Sequence, residues 1–158
     1  TLQGVVCVQE EIGLRGAGVA AYAAQPDCAI VVDTFMAGGT PDVDYYKELP
    51  AHIGEGPVLL LANSGHVGHP ALNRYLRQAA AECGVALQAC TIVGKAATDS
   101  GTIHLSREGV PTAGVCLARR YSHTPVCTLD LNDAVDTVTL LKQFVKEVGA
   151  DLSLGFLG

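Results

Sequence analysis

Short apolar runs alternate with stretches of helical periodicity along the whole chain, and this alternation restricts the fold to layered α/β architectures. Gly4 to Val8, Cys28 to Asp33, Pro57 to Leu61, Val85 to Ile92 and Thr112 to Leu117 read as buried strands. Between them, Gly16 to Gln25 is Ala- and Gly-rich and stopped by Pro26, which has no amide proton to continue a helix. Pro70 to Cys83 places Leu72, Tyr75, Leu76, Ala79 and Cys83 at three- and four-residue spacings, with Pro70 suited to a first turn and Gly84 to a C-cap. A short helix is expected from Asp99 to Arg107, closed by Gly109. A last helix is expected over 133–148, capped by Asn132, with Val138, Leu141, Phe144, Val145 and Val148 on its buried stripe. The expectation is one domain over 1–158, an α/β/α sandwich with a mixed, mostly parallel sheet.

At 158 residues, 49% of them hydrophobic, the chain can bury a core of its own. Its formal charge of −6 lacks the basic footprint that nucleic acid or an anionic membrane surface requires. The longest apolar runs are too short to span a bilayer, and no basic segment followed by an apolar one opens the chain. The chain starts at Thr1 rather than Met, so it reads as one piece of something longer. Six cysteines show neither C-x-x-C nor zinc-knuckle spacing, and five sit in or beside apolar runs; they read as thiols in a reducing cytoplasm.

Three fragments carry chemistry. At 8–17, Val-Gln-Glu-Glu-Ile-Gly-Leu-Arg-Gly-Ala runs an apolar strand into paired carboxylates and then a glycine-punctuated turn. Neighbouring strand residues face opposite ways, so Glu10 and Glu11 share a site only if the chain turns there, as Gly13 permits; otherwise they are a solvated strand end. Asp33 closes an apolar run, as a turn cap or as a ligand. His123 lies between a strand end and Pro125, as a loop ligand or an ordinary surface residue. In a parallel arrangement these strand ends meet at one sheet edge, where α/β folds bind ligands. Two carboxylates and an imidazole suit Zn²⁺, Mn²⁺ or Co²⁺, with Glu10 left over to move a proton.

The fragment at 8–17, together with Val-Val-Asp-Thr at 31–34, Thr-Asp-Ser-Gly at 98–101, Gly-Val-Pro-Thr at 109–112 and Arg-Tyr-Ser-His at 120–123, resembles the tetrahedral, or glutamyl, aminopeptidase family. These are dimetal exopeptidases of zinc-exopeptidase, phosphorylase/hydrolase-like fold, some of them labelled cellulase M or endoglucanase. The resemblance, from about residue 2 to 147, implies a cytoplasmic metalloprotease that removes N-terminal residues from peptides and assembles into a large homo-oligomer. By the same resemblance Glu10 is the general base, and Glu11, Asp33 and His123 are ligands of two divalent ions, zinc or cobalt first and manganese next. Thr98 and Asp99 line the substrate cleft.

The sequence departs from the family pattern in four places. Ala96 and Ala97 stand for glycines, and Cys127 stands for a glutamate four residues after His123. An earlier histidine and a bridging aspartate, both upstream of the paired glutamates in the family, are absent, as is the inserted small β-domain. The expectation is therefore the C-terminal part of a catalytic domain, with an incomplete fragment or a metal-binding assembly module as the alternative. His66 and His69 form His-x-x-His but read as loop histidines, His104 reads as a packing or capping residue, and Lys95 as a solvated or cleft lysine. An endoglucanase reading is disfavoured, because adjacent carboxylates are poorly placed to flank a glycosidic bond and the chain has no Trp and only 5% aromatics.

Overall fold

A computed structural model describes residues 1–41, 43–45, 47–94, 97–149 and 152–155. The elements run α1 (Arg15–Ala24), β1 (Ala29–Met36), β2 (Val58–Ala62), α2 (Pro70–Cys83), β3 (Gln88–Thr91), α3 (Ser100–Ile103), β4 (Thr112–Arg119) and α4 (Leu131–Glu147). The four strands lie in the order β1-β4-β2-β3. β1 pairs with β4 and β2 with β3 in parallel, while β2 and β4 are antiparallel. The fold is the expected mixed, mostly parallel α/β arrangement.

Strand alternation sorts the core into two faces. Leu59, Ala113 and Val115 face α2 and α4, where they meet Leu72, Leu76, Leu140 and Phe144. On the other face Phe35, Val58, Leu60, Cys116 and Ala118 are covered by Ala51 and Ile53 from the long connection after β1. α2 is built as its sequence dictates, with Pro70 in the first turn and Gly84 taking φ 71° at the C-cap.

Four local expectations are corrected. Residues 4–8 form no strand: Val5 and Val6 are exposed, and no ladder partner lies beside them among the described residues. Apolar patterning marks a segment able to enter a sheet, but a strand exists only where a neighbour satisfies its amides. Asp33 does not end a strand; β1 continues three residues beyond it. On α4 the buried stripe is Asp133, Thr137, Leu140 and Phe144; of the expected stripe Phe144 is buried and Leu141 and Val148 pack against the same core, while Val138 and Val145 are left in solvent. The buried carboxylate sets how the helix is turned: Asp133 accepts the Gly54 and Gly56 amides at 2.8 and 2.9 Å. Asp130, not Asn132, caps this helix, accepting the Asn132 amide at 2.8 Å.

Candidate metal centre

The paired glutamates sit on a turn whose geometry is set by glycine. The Glu10 carbonyl accepts the amides of Gly13 and Leu14 at 3.1 and 2.9 Å, and the Val8 carbonyl accepts that of Gly16 at 3.0 Å. Gly13 takes φ 124°, and a Cβ at Gly16 would lie 2.5 Å from the Val8 carbonyl oxygen, so only glycine fits there. The chain therefore reverses immediately after the carboxylates, as their shared use requires. Gln9 and Leu14, which bracket them, are held at φ 59° and 55°, and Tyr121 and His123 at 59° and 57°. Left-handed backbone at non-glycine residues costs free energy, and here it concentrates in the two loops that carry Glu10, Glu11 and His123.

These loops meet. His123 Nε2 lies 3.3 Å from Glu11 Oε2. Glu10 stands beside them, its carboxyl pushed above the ordinary range first by burial and then by the charges of Asp33, Glu11 and Asp99, with His123 acting in the opposite sense. Asp33 is likewise raised, mainly by burial and partly by Asp99, against the opposing Thr34 amide bond of 2.6 Å and the Arg119 charge. Asp33 pairs in register with Cys116, on the sheet face shared with Phe35 and Ala118. Glu10, Glu11, Asp33, Asp99 and His123, drawn from four separate segments, thus share one electrostatic neighbourhood.

Of the cleft pair, Asp99 faces this neighbourhood. The pKa of the nearby Cys7 thiol rises to about 11, first through burial and then through this carboxylate, and Asp99 Oδ1 is buried with no partner among the described residues. Thr98 turns inward, its hydroxyl 2.7 Å from that of Ser100. Lys95 and Ala96 lie outside the described residues, and Cys127 is exposed.

Sequence reasoning missed Cys7, and it misread His66. His66 is 5% exposed, and burial first and His104 second lower its pKa to about 4. His104 donates from Nδ1 to the Ser100 carbonyl at 2.8 Å, and the two imidazoles lie 5.0 Å apart by ring centroid. With His69 they line a cleft of about 420 Å³ floored by Pro70, Val110 and Pro111. No local pattern around His-x-x-His announces burial, because it comes from the return of residues 104–112.

Among the described residues, no three His, Cys, Asp or Glu side chains are grouped closely enough to hold a metal ion. What the chain offers is narrower. A carboxylate and an imidazole at 3.3 Å fit two neighbouring corners of one coordination sphere, given ligand bonds of about 2.0–2.2 Å. Four carboxylates with a buried, unpaired oxygen among them form a surplus of negative charge that a cation would neutralise.

The chain is similar to known aminopeptidases. The lysyl aminopeptidase of Pyrococcus furiosus is 34% identical over 144 residues, covering 91% of this chain and 40% of its own length. A TET aminopeptidase from Thaumarchaeota archaeon SCGC AB-539-E09 superposes with a TM-score of 0.89 at 30% identity, over 96% of this chain and 42% of that one. The TET1 peptidase of Pyrococcus horikoshii, which assembles into a tetrahedron or a large octahedral shell, gives 0.73 at 28% identity over 90% of this chain and 40% of that one. The chain thus spans about two-fifths of the length of these relatives. A profile of the M42 glutamyl aminopeptidase family matches residues 1–140, and the chain belongs to that family.

Proposed function

We propose that this chain is the C-terminal part of the catalytic domain of a metal-dependent aminopeptidase, with Glu10 as general base and Glu11, Asp33 and His123 as ligands to two divalent ions. The observation that carries this reading is the 3.3 Å approach of His123 to Glu11 across more than a hundred residues of chain, with Glu10 in the same field. Zinc or cobalt suits a mixed carboxylate and imidazole set, with manganese next. A divalent ion in such a site supplies electrophilic polarisation of a carbonyl oxygen and acidification of water.

The chain's own residues supply the rest. Glu10, with a carboxyl raised by burial and neighbouring charge, is suited to take a proton from the attacking water and return it to the leaving amine. Glu11 and His123 hold position because their turns are fixed by Gly13, Gly16 and the strained backbone at 121 and 123. Asp99 offers an unpaired oxygen beside the base, a suitable contact for a substrate donor, on the wall that Thr98 helps to form. Peptides are the expected substrates. An endoglucanase would need carboxyls on either side of a glycosidic bond rather than on consecutive residues.

The chain spans about two-fifths of its relatives' length, and we place the remaining ligands in the part it does not span; the assembly of the Pyrococcus horikoshii relative supports a large homo-oligomer. Six free thiols fit a reducing cytoplasm. The test is hydrolysis of aminoacyl-nitroanilides by the complete catalytic domain, with and without chelator, beside the Glu10→Gln variant. Chelator-sensitive release that falls about 10²–10⁴-fold in the variant supports the assignment. Cleavage of a cellulose oligomer instead, or near-normal turnover by Glu10→Gln, refutes it.

A further inference from the structure

The turn that carries Asp99 is held from behind by a buried side chain with no part in the chemistry above. Asn63 follows directly on β2 and is 6% exposed. Its Oδ1 accepts the Gly65 amide at 2.9 Å, which fixes the amide's orientation and leaves Nδ2 to donate. Nδ2 reaches the hydroxyls of Thr98 and Ser100 at 3.3 and 3.4 Å, the two residues flanking Asp99. Those hydroxyls also bond each other at 2.7 Å, and the Ser100 amide donates to Thr98 Oγ1 at 3.3 Å. Thr98 and Ser100 are 6% and 0% exposed, so no solvent competes for these bonds.

The backbone packs to match. A Cβ on Gly65 would lie 3.3 Å from Gly101 Cα, and one on Gly101 would lie 3.3 Å from Leu14 Cδ1. The 98–101 turn is therefore clamped between the Asn63 turn and the loop of the paired glutamates. A single amide, rooted in the sheet, bridges the residues on both sides of Asp99, whose Oδ1 is buried with no partner among the described residues.

We propose that Asn63 is a positioning residue: it acts through Thr98 and Ser100 to aim the Asp99 carboxylate at the substrate. This rests on the aminopeptidase reading. It is tested by a double-mutant cycle on the complete catalytic domain, with kcat and KM measured on an aminoacyl-nitroanilide and amide hydrogen exchange read at Ser100 and Gly101. Asn63→Ala should lower kcat/KM about ten- to a hundredfold, chiefly through KM, and speed exchange at both amides. In an Asp99→Ala background the same substitution should add no further loss, since its target is gone. Equal losses in both backgrounds, or faster exchange with unchanged kinetics, would overturn the proposal.

If Asn63→Ala does not fold, Asn63→Gln decides. It keeps the amide but displaces its donor by one methylene, so kcat/KM should fall at least several-fold in the wild-type background and not in Asp99→Ala; equal losses in both backgrounds refute the role. Absence of wild-type turnover would instead sink the aminopeptidase reading, and unchanged exchange in Asn63→Ala would then still count against the clamp.

Discussion

Lowering the pH should destabilise the fold through His66 in particular. The imidazole is 5% exposed, packed beside a second imidazole, and its pKa is lowered from 6.5 to about 4. Below 6.5 the unfolded chain takes up a proton that the folded chain refuses until the pH nears 4. The stability held by the neutral ring is therefore complete above about 6.5 and is lost as the pH falls toward 4. Integrating between pH 7.5 and pH 5 with these two values gives a loss of about 2 kcal/mol. For a chain of this length that is a fall of about 4–8 °C in Tm. The assay is urea unfolding of the wild type and His66→Gln at half-unit steps of pH. Every other titratable group is common to both proteins, so the difference between the two curves reports the removal of His66. That difference should change by about 2 kcal/mol across the window, the variant losing less. Parallel curves would show that the ring is not held neutral, and the argument from its burial would fail.

Further outcomes follow from other residues. Asp133→Ala removes the buried carboxylate that receives the Gly54 and Gly56 amides, and should cost about 3 kcal/mol in chemical denaturation, with Asp133→Asn recovering part of it. Gly16→Ala forces a methyl against the Val8 carbonyl and should cost about 2 kcal/mol or more; a variant within a few tenths of wild type would show that the turn is not tight. Because burial and negative neighbours disfavour the Glu10 carboxylate, stability at this group falls as pH rises through its raised pKa. Glu10→Gln should therefore stabilise the metal-free chain near neutral pH by a screened amount, on the order of 0.5 kcal/mol, read as a small rise in Tm.

The alternation of apolar runs made the α/β class legible, and α2 was readable almost to the residue, because Pro70, Gly84 and a single apolar stripe agree. What sequence could not supply was neighbours. Residues 4–8 have the composition of a strand, yet nothing beside them among the described residues pairs with them. α4 is turned so that Asp133 meets two distant glycine amides, which leaves Val138 and Val145 in solvent while Leu141, Phe144 and Val148 still pack on the core. In the candidate site, the paired glutamates were visible through the glycines of their turn, and His123 through its place between a strand end and Pro125, while the left-handed backbone at 121 and 123 leaves no mark in the sequence. Asn63, Cys7 and His66 were not, since each takes its meaning from a residue at least thirty-five positions away.

Cobalt-edge anomalous diffraction from crystals of the complete catalytic domain grown with Co²⁺ shows whether Glu11 and His123 share an ion. A peak is expected about 2.0–2.2 Å from both a Glu11 carboxylate oxygen and His123 Nε2, with Glu10 beside it and not bound. A peak confined to the His66 and His104 cleft, or Glu11 and His123 bonded to each other with no ion between them, would contradict it.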